Sequence, residues 1–248
     1  MTKPTSRTCC PIVELRQYTL HPGMRDVLID LFDREFVESQ EALGMRVIGQ
    51  FRDLEDANRF VWLRGFRDMP SRGRGLADFY GGPVWKAHCD AANATMIDFD
   101  NVLLLRWARP ESGFFIEHGD RPPPGAGGGP GGLVVSTVYS FDAPPGADFL
   151  DFFERELRPE VTVAGASILA YFVTEESANN YPALPVREGE QVFVWFSRFE
   201  DEAAYERHAA ALARSRRWSE VSEALARRVK GPPEVRKLSP TARSLLRG

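Results

Sequence analysis

Two short stretches hold most of the side chains able to do chemistry. Val13 to Leu20, VELRQYTL, sets Glu14, Arg16 and Tyr18 at alternate positions, and Arg59 to Phe66, RFVWLRGF, does the same with Trp62 and Arg64. Alternate residues of an extended chain share a face. Guanidinium groups on such a face bind carboxylates and other small anions through charge-assisted, sometimes bidentate hydrogen bonds, and the neighbouring rings would flank a planar ligand. Arg16 and Arg64 are therefore the candidate anion-binding pair, with Trp62, Glu14, Arg46 and Arg106 as further candidates for the substrate-binding wall. The structural alternative is that these arginines pair with Glu14 and other acids or reach a solvent-facing sheet edge.

For proton transfer the candidates are Tyr18 and His88, the latter in WKAHCDAAN after Trp85. Histidine is the side chain best suited to work as acid, base or heme ligand near neutral pH, although a lone helical histidine is more often structural. Tyr80, followed by Gly81 and Gly82, is placed to gate a cavity mouth or to fill a core.

The elements positioning these residues follow from periodicity. VELRQYTL reads as a strand that His21-Pro22-Gly23 ends. Leu28, Leu31, Phe32, Phe36 and Leu43 recur at helical spacing up to the stop at Gly44. Met45 to Arg52 and Arg59 to Phe66 form an antiparallel hairpin across DLEDAN. Ser71 to Tyr80 and Pro83 to Ala94 read as helices, and Asn101 to Trp107 as a closing strand. The order β-α-β-β-α-β is the ferredoxin-like arrangement.

The pattern then repeats. Phe60, Val61, Trp62 and Phe66 return at one constant offset as Phe193, Val194, Trp195 and Phe199 within QVFVWFSRF. A smaller constant offset pairs Tyr18 with Tyr139, Phe32 with Phe153 and Gly44 with Gly165. The change of offset places an insertion within Thr174 to Gln191, a lid or a partner contact. PPPGAGGGPGG, Pro122 to Gly132, has the composition of a linker. The expected organisation is a first unit over residues 12–110, a Pro/Gly-rich linker over 111–132 and a second unit over 133–240.

A four-stranded sheet with helices on one face leaves the other face uncovered, and burying it is worth about 25 cal/mol per Å² of apolar surface. The fold class expected is α+β, with tandem ferredoxin-like units whose two antiparallel sheets pack into one α/β barrel. In this arrangement Val13, Leu15, Val61 and Leu63 are expected under the helices, with Glu14, Arg16, Tyr18, Trp62 and Arg64 pointing into the barrel. The two units also provide an internal comparison. Arg16, Arg46, Arg64 and Arg106 correspond to Thr137, Ser167, Ser197 and Ser239, whereas Tyr18 and Trp62 keep their identity as Tyr139 and Trp195, so only the first unit carries the basic wall. His88 corresponds to Val221.

The stretches VELRQYTLHPG, MRVIGQFRDLEDANRFVWLRGF and FYGGPVWKAHCDAANATMIDFDNVLLLR resemble the NIPSNAP family of the dimeric α/β-barrel superfamily. The resemblance implies the barrel and the tandem units. It implies little chemistry, since relatives in the superfamily include cofactor-free monooxygenases, muconolactone isomerases, heme-degrading enzymes and dye-decolorising peroxidases, and a fold does not select among them.

Composition narrows the classes. Among 248 residues, 31 Lys and Arg stand against 35 Asp and Glu, a net charge of −4 that leaves no positive excess for nucleic acid. No apolar run approaches a membrane span and MTKPTSRTCCP lacks a signal-peptide core, so no membrane partner and a cytoplasmic chain are expected. The three cysteines, Cys9, Cys10 and Cys89, are odd in number and read as free thiols; the four histidines do not cluster with them, and no metal is expected. GxxxxGK[ST], GxGxxG after a strand, GxSxG and HExxH are absent.

The leading expectation is a barrel that binds a small hydrophobic, anionic metabolite, an enzyme of the cofactor-independent monooxygenase, isomerase or lyase kind, with a homodimer as a further option. The alternatives are a heme-binding or heme-processing barrel with His88 as ligand, and a non-catalytic scaffold or stress protein, which a side-chain-filled space between the sheets would favour.

Overall fold

Nine strands form wherever apolar residues alternate with polar or small ones. The computed structural model describes residues 8–116, 121–127 and 131–247. Parts of the expected linker, residues 117–120 and 128–130, and of the N-terminal arm, residues 1–7, lie outside the described residues.

The first unit runs β1 (Ile12–Leu20), α1 (Arg25–Leu31), a π-helical turn (Phe32–Phe36), α2 (Val37–Glu41), β2 (Arg46–Asp53), β3 (Arg59–Phe66), α3 (Met69–Gly81), α4 (Pro83–Asn93), a short β4 (Met96–Asp98) and β5 (Val102–Trp107). The second repeats it as β6 (Leu133–Phe141), α5 (Ala147–Phe152), a second π-helical turn (Phe153–Leu157), α6 (Arg158–Val163), β7 (Ser167–Thr174), β8 (Gln191–Phe199), α7 (Glu202–Arg214), α8 (Arg216–Ala226) and β9 (Glu234–Pro240). The repeat extends to details of the chain. Asp68 and Asp201 cap α3 and α7 by accepting from Ser71 N and Ala204 N, each at 2.7 Å. Gly44 and Gly165 both take positive φ, 80° and 112°, where the chain leaves a helix for a strand.

Eight strands close into an antiparallel barrel in the cyclic order β1-β3-β2-β9-β6-β8-β7-β5, and β4 adds to the end of β1. The units therefore do more than lie face to face. Their sheets are hydrogen-bonded at both seams, with Phe51 opposite Pro240 across β2 and β9 and Leu105 opposite Thr174 across β5 and β7.

Which face turns inward is the reverse of the expectation. Val13, Leu15, Val61 and Leu63 lie in the barrel interior, in one apolar cluster with Val134, Val194, Phe172 and Phe196 of the second unit. Trp62 and Tyr18 lie on the outer face of the sheet, under the helices, with Phe32, Phe36 and Phe79. The physical reason is complementarity. Two sheets that cover each other need apolar faces from both units, while a charged face needs partners, and here helix residues supply them. Phe114, after β5, and Leu246, near the C-terminal end, also enter the barrel cluster. The space between the sheets is thus packed with buried side chains.

Cys9 and Cys10 are joined as a vicinal disulfide, where free thiols were expected; Cys89 is free. Adjacency places both sulfurs within reach once Cys10 adopts a φ of 62°. Among the described residues no helix is long and apolar enough to cross a membrane.

Candidate functional site

The charged face of the first unit is assembled by strand register. Antiparallel pairing of β1 with β3 sets Glu14 directly opposite Arg64 and Arg16 directly opposite Trp62, so the side chains meet as cross-strand neighbours. Glu14 becomes the centre. Its Oε2 accepts from Arg16 Nη1 at 2.9 Å and from Arg64 Nη2 at 2.7 Å, and its Oε1 accepts from Arg72 Nε at 2.7 Å. All four residues are fully buried. Trp62 lies beneath them, its ring 5.6 Å from the Arg16 guanidinium and 5.0 Å from that of Arg64, a cation–π arrangement.

The remaining donors reach the helices and the cavity wall. Arg64 Nη1 donates to Gln40 Oε1 at 2.8 Å and to the Tyr80 hydroxyl at 3.5 Å. Arg16 Nε donates to the Tyr18 hydroxyl at 2.9 Å. Arg72 Nη1 donates to Asn179 Oδ1 at 3.0 Å and Asn180 Oδ1 at 2.7 Å, both on the insertion of the second unit. Arg16 Nη2 and Arg72 Nη2 are buried without a hydrogen-bond partner.

Charge sets the protonation states. Burial pushes the Glu14 carboxyl up, but Arg64, Arg16 and Arg72 together outweigh it and hold the group well below the usual carboxylate range. Burial pushes the Tyr18 phenol up; Arg16 and Arg64 oppose this without cancelling it, so the phenol is neutral near pH 7. With its oxygen accepting from Arg16, Tyr18 keeps its own proton free to donate.

That phenol borders a cavity of about 300 Å³ between the sheet and the helices, lined also by Tyr80, Trp85, Met96, Phe99 and Tyr181. A smaller void of about 30 Å³, roughly enough for one water, continues inward along Tyr18, Tyr80, Gln40 and Trp62. The insertion between β7 and β8 covers the mouth. Tyr181 stacks on Tyr80 with ring centroids 5.8 Å apart, Leu184 joins the core of the first unit, and Asn180 Nδ2 donates to Met69 O at 2.6 Å. The lid reading of this loop therefore has a structural basis. It closes over the other unit.

The predicted residues divide into two groups. Glu14, Arg16, Tyr18, Trp62 and Arg64 come together as one set. Arg46 lies at the sheet margin beside Glu41, 3.6 Å away, and Arg106 is exposed. His88 sits on the outer side of α4 with Nε2 3.4 Å from Glu35 Oε2, and it does not line the cavity. Arg72 and Gln40 were missed. Arg72 lies four and seven residues before Leu76 and Phe79, and Gln40 four after Phe36, so helical spacing alone put both on the buried face.

In the second unit the equivalent space is apolar. Val135, Thr137, Ser197 and Tyr205 stand at the positions of Glu14, Arg16, Arg64 and Arg72, and Phe153, Phe193, Tyr171 and Trp195 fill the layer between sheet and helices.

The NIPSNAP family model matches residues 13–108, the unit that holds the charged set. No curated protein matches the chain. Three solved structures are similar over nearly the whole length. A candidate monooxygenase from Lactobacillus acidophilus NCFM is 16% identical with a TM-score of 0.52, covering 94% of each chain. A candidate monooxygenase from Fusobacterium nucleatum is 10% identical with a TM-score of 0.54, covering 94% of this chain and 93% of its own. An anthrone oxidase-like protein is 15% identical with a TM-score of 0.54, covering 93% of this chain and 91% of its own. At these identities the likeness shows the shared fold.

Proposed function

Taking residues 13–108 as a NIPSNAP domain, we propose that the protein binds a hydrophobic, ring-bearing small molecule in the cavity between the sheet and helices of that unit. There it acts as an enzyme by moving a proton at a phenolic or enolic oxygen. The observation that carries this reading is the Tyr18 hydroxyl at the cavity wall, accepting from a buried arginine at 2.9 Å and so oriented to donate inward. Tyr80 is the second phenol of the wall, backed by Arg64. Apolar lining with a few convergent polar groups is the usual character of a small-molecule site, and the volume is at the lower end of the usual range.

The packed space between the sheets satisfies the condition set for a scaffold reading, but the cavity lies on the other side of the sheet, where that condition does not apply. His88 does not line the cavity, so the heme reading has lost its candidate ligand.

The similarity to an anthrone oxidase-like protein supplies a probe. Anthrone is a neutral, planar, enolisable ring system. Its oxidation consumes one O₂ per molecule, giving anthraquinone and water. Titrating anthrone under argon against tryptophan fluorescence reports occupancy beside Trp62 and Trp85, and oxygen uptake in air reports turnover. The expected result is saturable quenching with turnover that falls about 10²-fold or more in Tyr18→Phe at little cost in binding. Absence of both quenching and turnover would count against the reading.

A further inference from the structure

The buried set at the back of the cavity is not neutral. Three guanidinium groups, Arg16, Arg64 and Arg72, surround one carboxylate, Glu14. Arg16 Nη2 and Arg72 Nη2, on two arginines that hold that same carboxylate, have no acceptor. Buried donors are ordinarily satisfied, and an uncompensated buried charge is among the costlier features a fold can carry. The fold itself does not require this one, because the second unit closes its equivalent layer with Val135, Thr137, Ser197 and Tyr205. The acceptors that do reach Arg72 Nη1 are two neutral amide oxygens, those of Asn179 and Asn180, delivered by the insertion. They occupy positions where the two oxygens of a carboxylate would sit.

We propose that Arg16 and Arg72 form an oxyanion subsite, so that the ring-bearing ligand is an aromatic carboxylate whose carboxylate reaches Arg72 when the insertion lifts Asn179 and Asn180 away. The proposal rests on the reading that the cavity holds the ligand, and it goes further by fixing the ligand's charge and the end that enters first. A carboxylate there supplies acceptors for both orphaned donors and reduces the excess of positive charge. Arg64, already engaged with Glu14, Gln40 and Tyr80, supports the field without needing to touch the ligand.

The test uses the full-length protein and three probes: 2-naphthoate, its neutral methyl ester, and formate. Binding of the two naphthyl compounds is followed by tryptophan quenching at low salt, and the Tm is recorded with each of the three. The acid is expected to bind about 10- to 100-fold more tightly than the ester, the range of one or two charge-assisted hydrogen bonds. Arg72→Gln and Arg16→Gln should each bring that ratio toward one while ester affinity changes by less than about threefold. Arg72→Lys keeps the charge and serves as the folding control, and it should retain most of the preference.

Formate that raises the Tm in the wild type but not in Arg72→Gln, and competes with naphthoate, supports the subsite with a free small oxyanion as a second occupant. Equal binding of acid and ester, with no effect of formate, overturns the subsite and leaves the cavity reading standing. If neither naphthyl compound binds and formate has no effect, both fall.

Discussion

Glu14 is the single anion that holds three buried guanidinium groups in place, and its replacement should be costly for that reason. Removing one partner of a buried ion pair typically destabilises by about 3–5 kcal/mol, because the remaining charge is left uncompensated. Glu14→Gln is expected to lose about that much in urea unfolding at pH 7. The pH dependence follows from the same contacts. The folded-state pKa of Glu14 lies below its unfolded value, so its contribution is fully present above about pH 4.3 and is lost as pH falls further. Wild-type stability should decline below that point more steeply than that of Glu14→Gln, and acid titrations of the two proteins at matched ionic strength test the difference. Most of the set was legible because alternation on β1 and β3 placed its members on one face. Arg72 was not singled out, because in SRGRG it differs from the exposed Arg74 only through helical phase, and the neighbouring glycines weaken that signal.

At the scale of elements, the insertion between β7 and β8 is the part of the second unit most directly tied to the first unit's site. Loop closure costs little with length, so replacing 175–190 by a short turn should leave the barrel folded. It removes Tyr181 from Tyr80, Leu184 from the core and two acceptors from Arg72. The expected outcome is unchanged far-ultraviolet circular dichroism with at least about tenfold faster ligand dissociation in stopped-flow quenching. Retention of wild-type dissociation would remove the lid role. The π-helical turns at matched positions are the second shared device, and such turns are frequently found at functional sites. In the first unit the turn carries Phe32, whose ring lies 4.8 Å from that of Trp62, and it is followed by α2 with Gln40. In the second unit it carries Phe153 against an apolar layer, with Phe193 at 4.6 Å. One backbone device thus serves both a charged and an apolar filling.

For the whole molecule, the barrel interior and the candidate site lie on opposite faces of one sheet, and their energetics should separate. Phe196 is fully buried inside the barrel against Phe114 and Phe172. Phe196→Ala should cost about 3–5 kcal/mol in chemical denaturation while leaving ligand affinity within about threefold. A loss of affinity as large as the loss of stability would contradict the separation. The shared interior also ties the units together. A fragment of residues 8–116 would expose Val13, Leu15, Val61 and Leu63, which the second unit covers. It should therefore self-associate or precipitate rather than remain monomeric, as light scattering after size exclusion would show.

The sequence by itself determined the duplication, the order of elements in each unit, the closing of two sheets into a barrel and the identity of Glu14, Arg16, Tyr18, Trp62 and Arg64 as one set. Each of these depends on periodicity and internal comparison, which are local properties of the chain. Tertiary structure decided which face of the sheet the set occupies, because alternation defines two faces without saying what will cover either. It also decided that Arg72 and Gln40 join the set, that His88, Arg46 and Arg106 do not, and that a loop of one unit roofs the cavity of the other. Those outcomes depend on helix phase and on contacts between residues more than a hundred positions apart, Arg72 with Asn180 among them, and no local pattern encodes such a pairing.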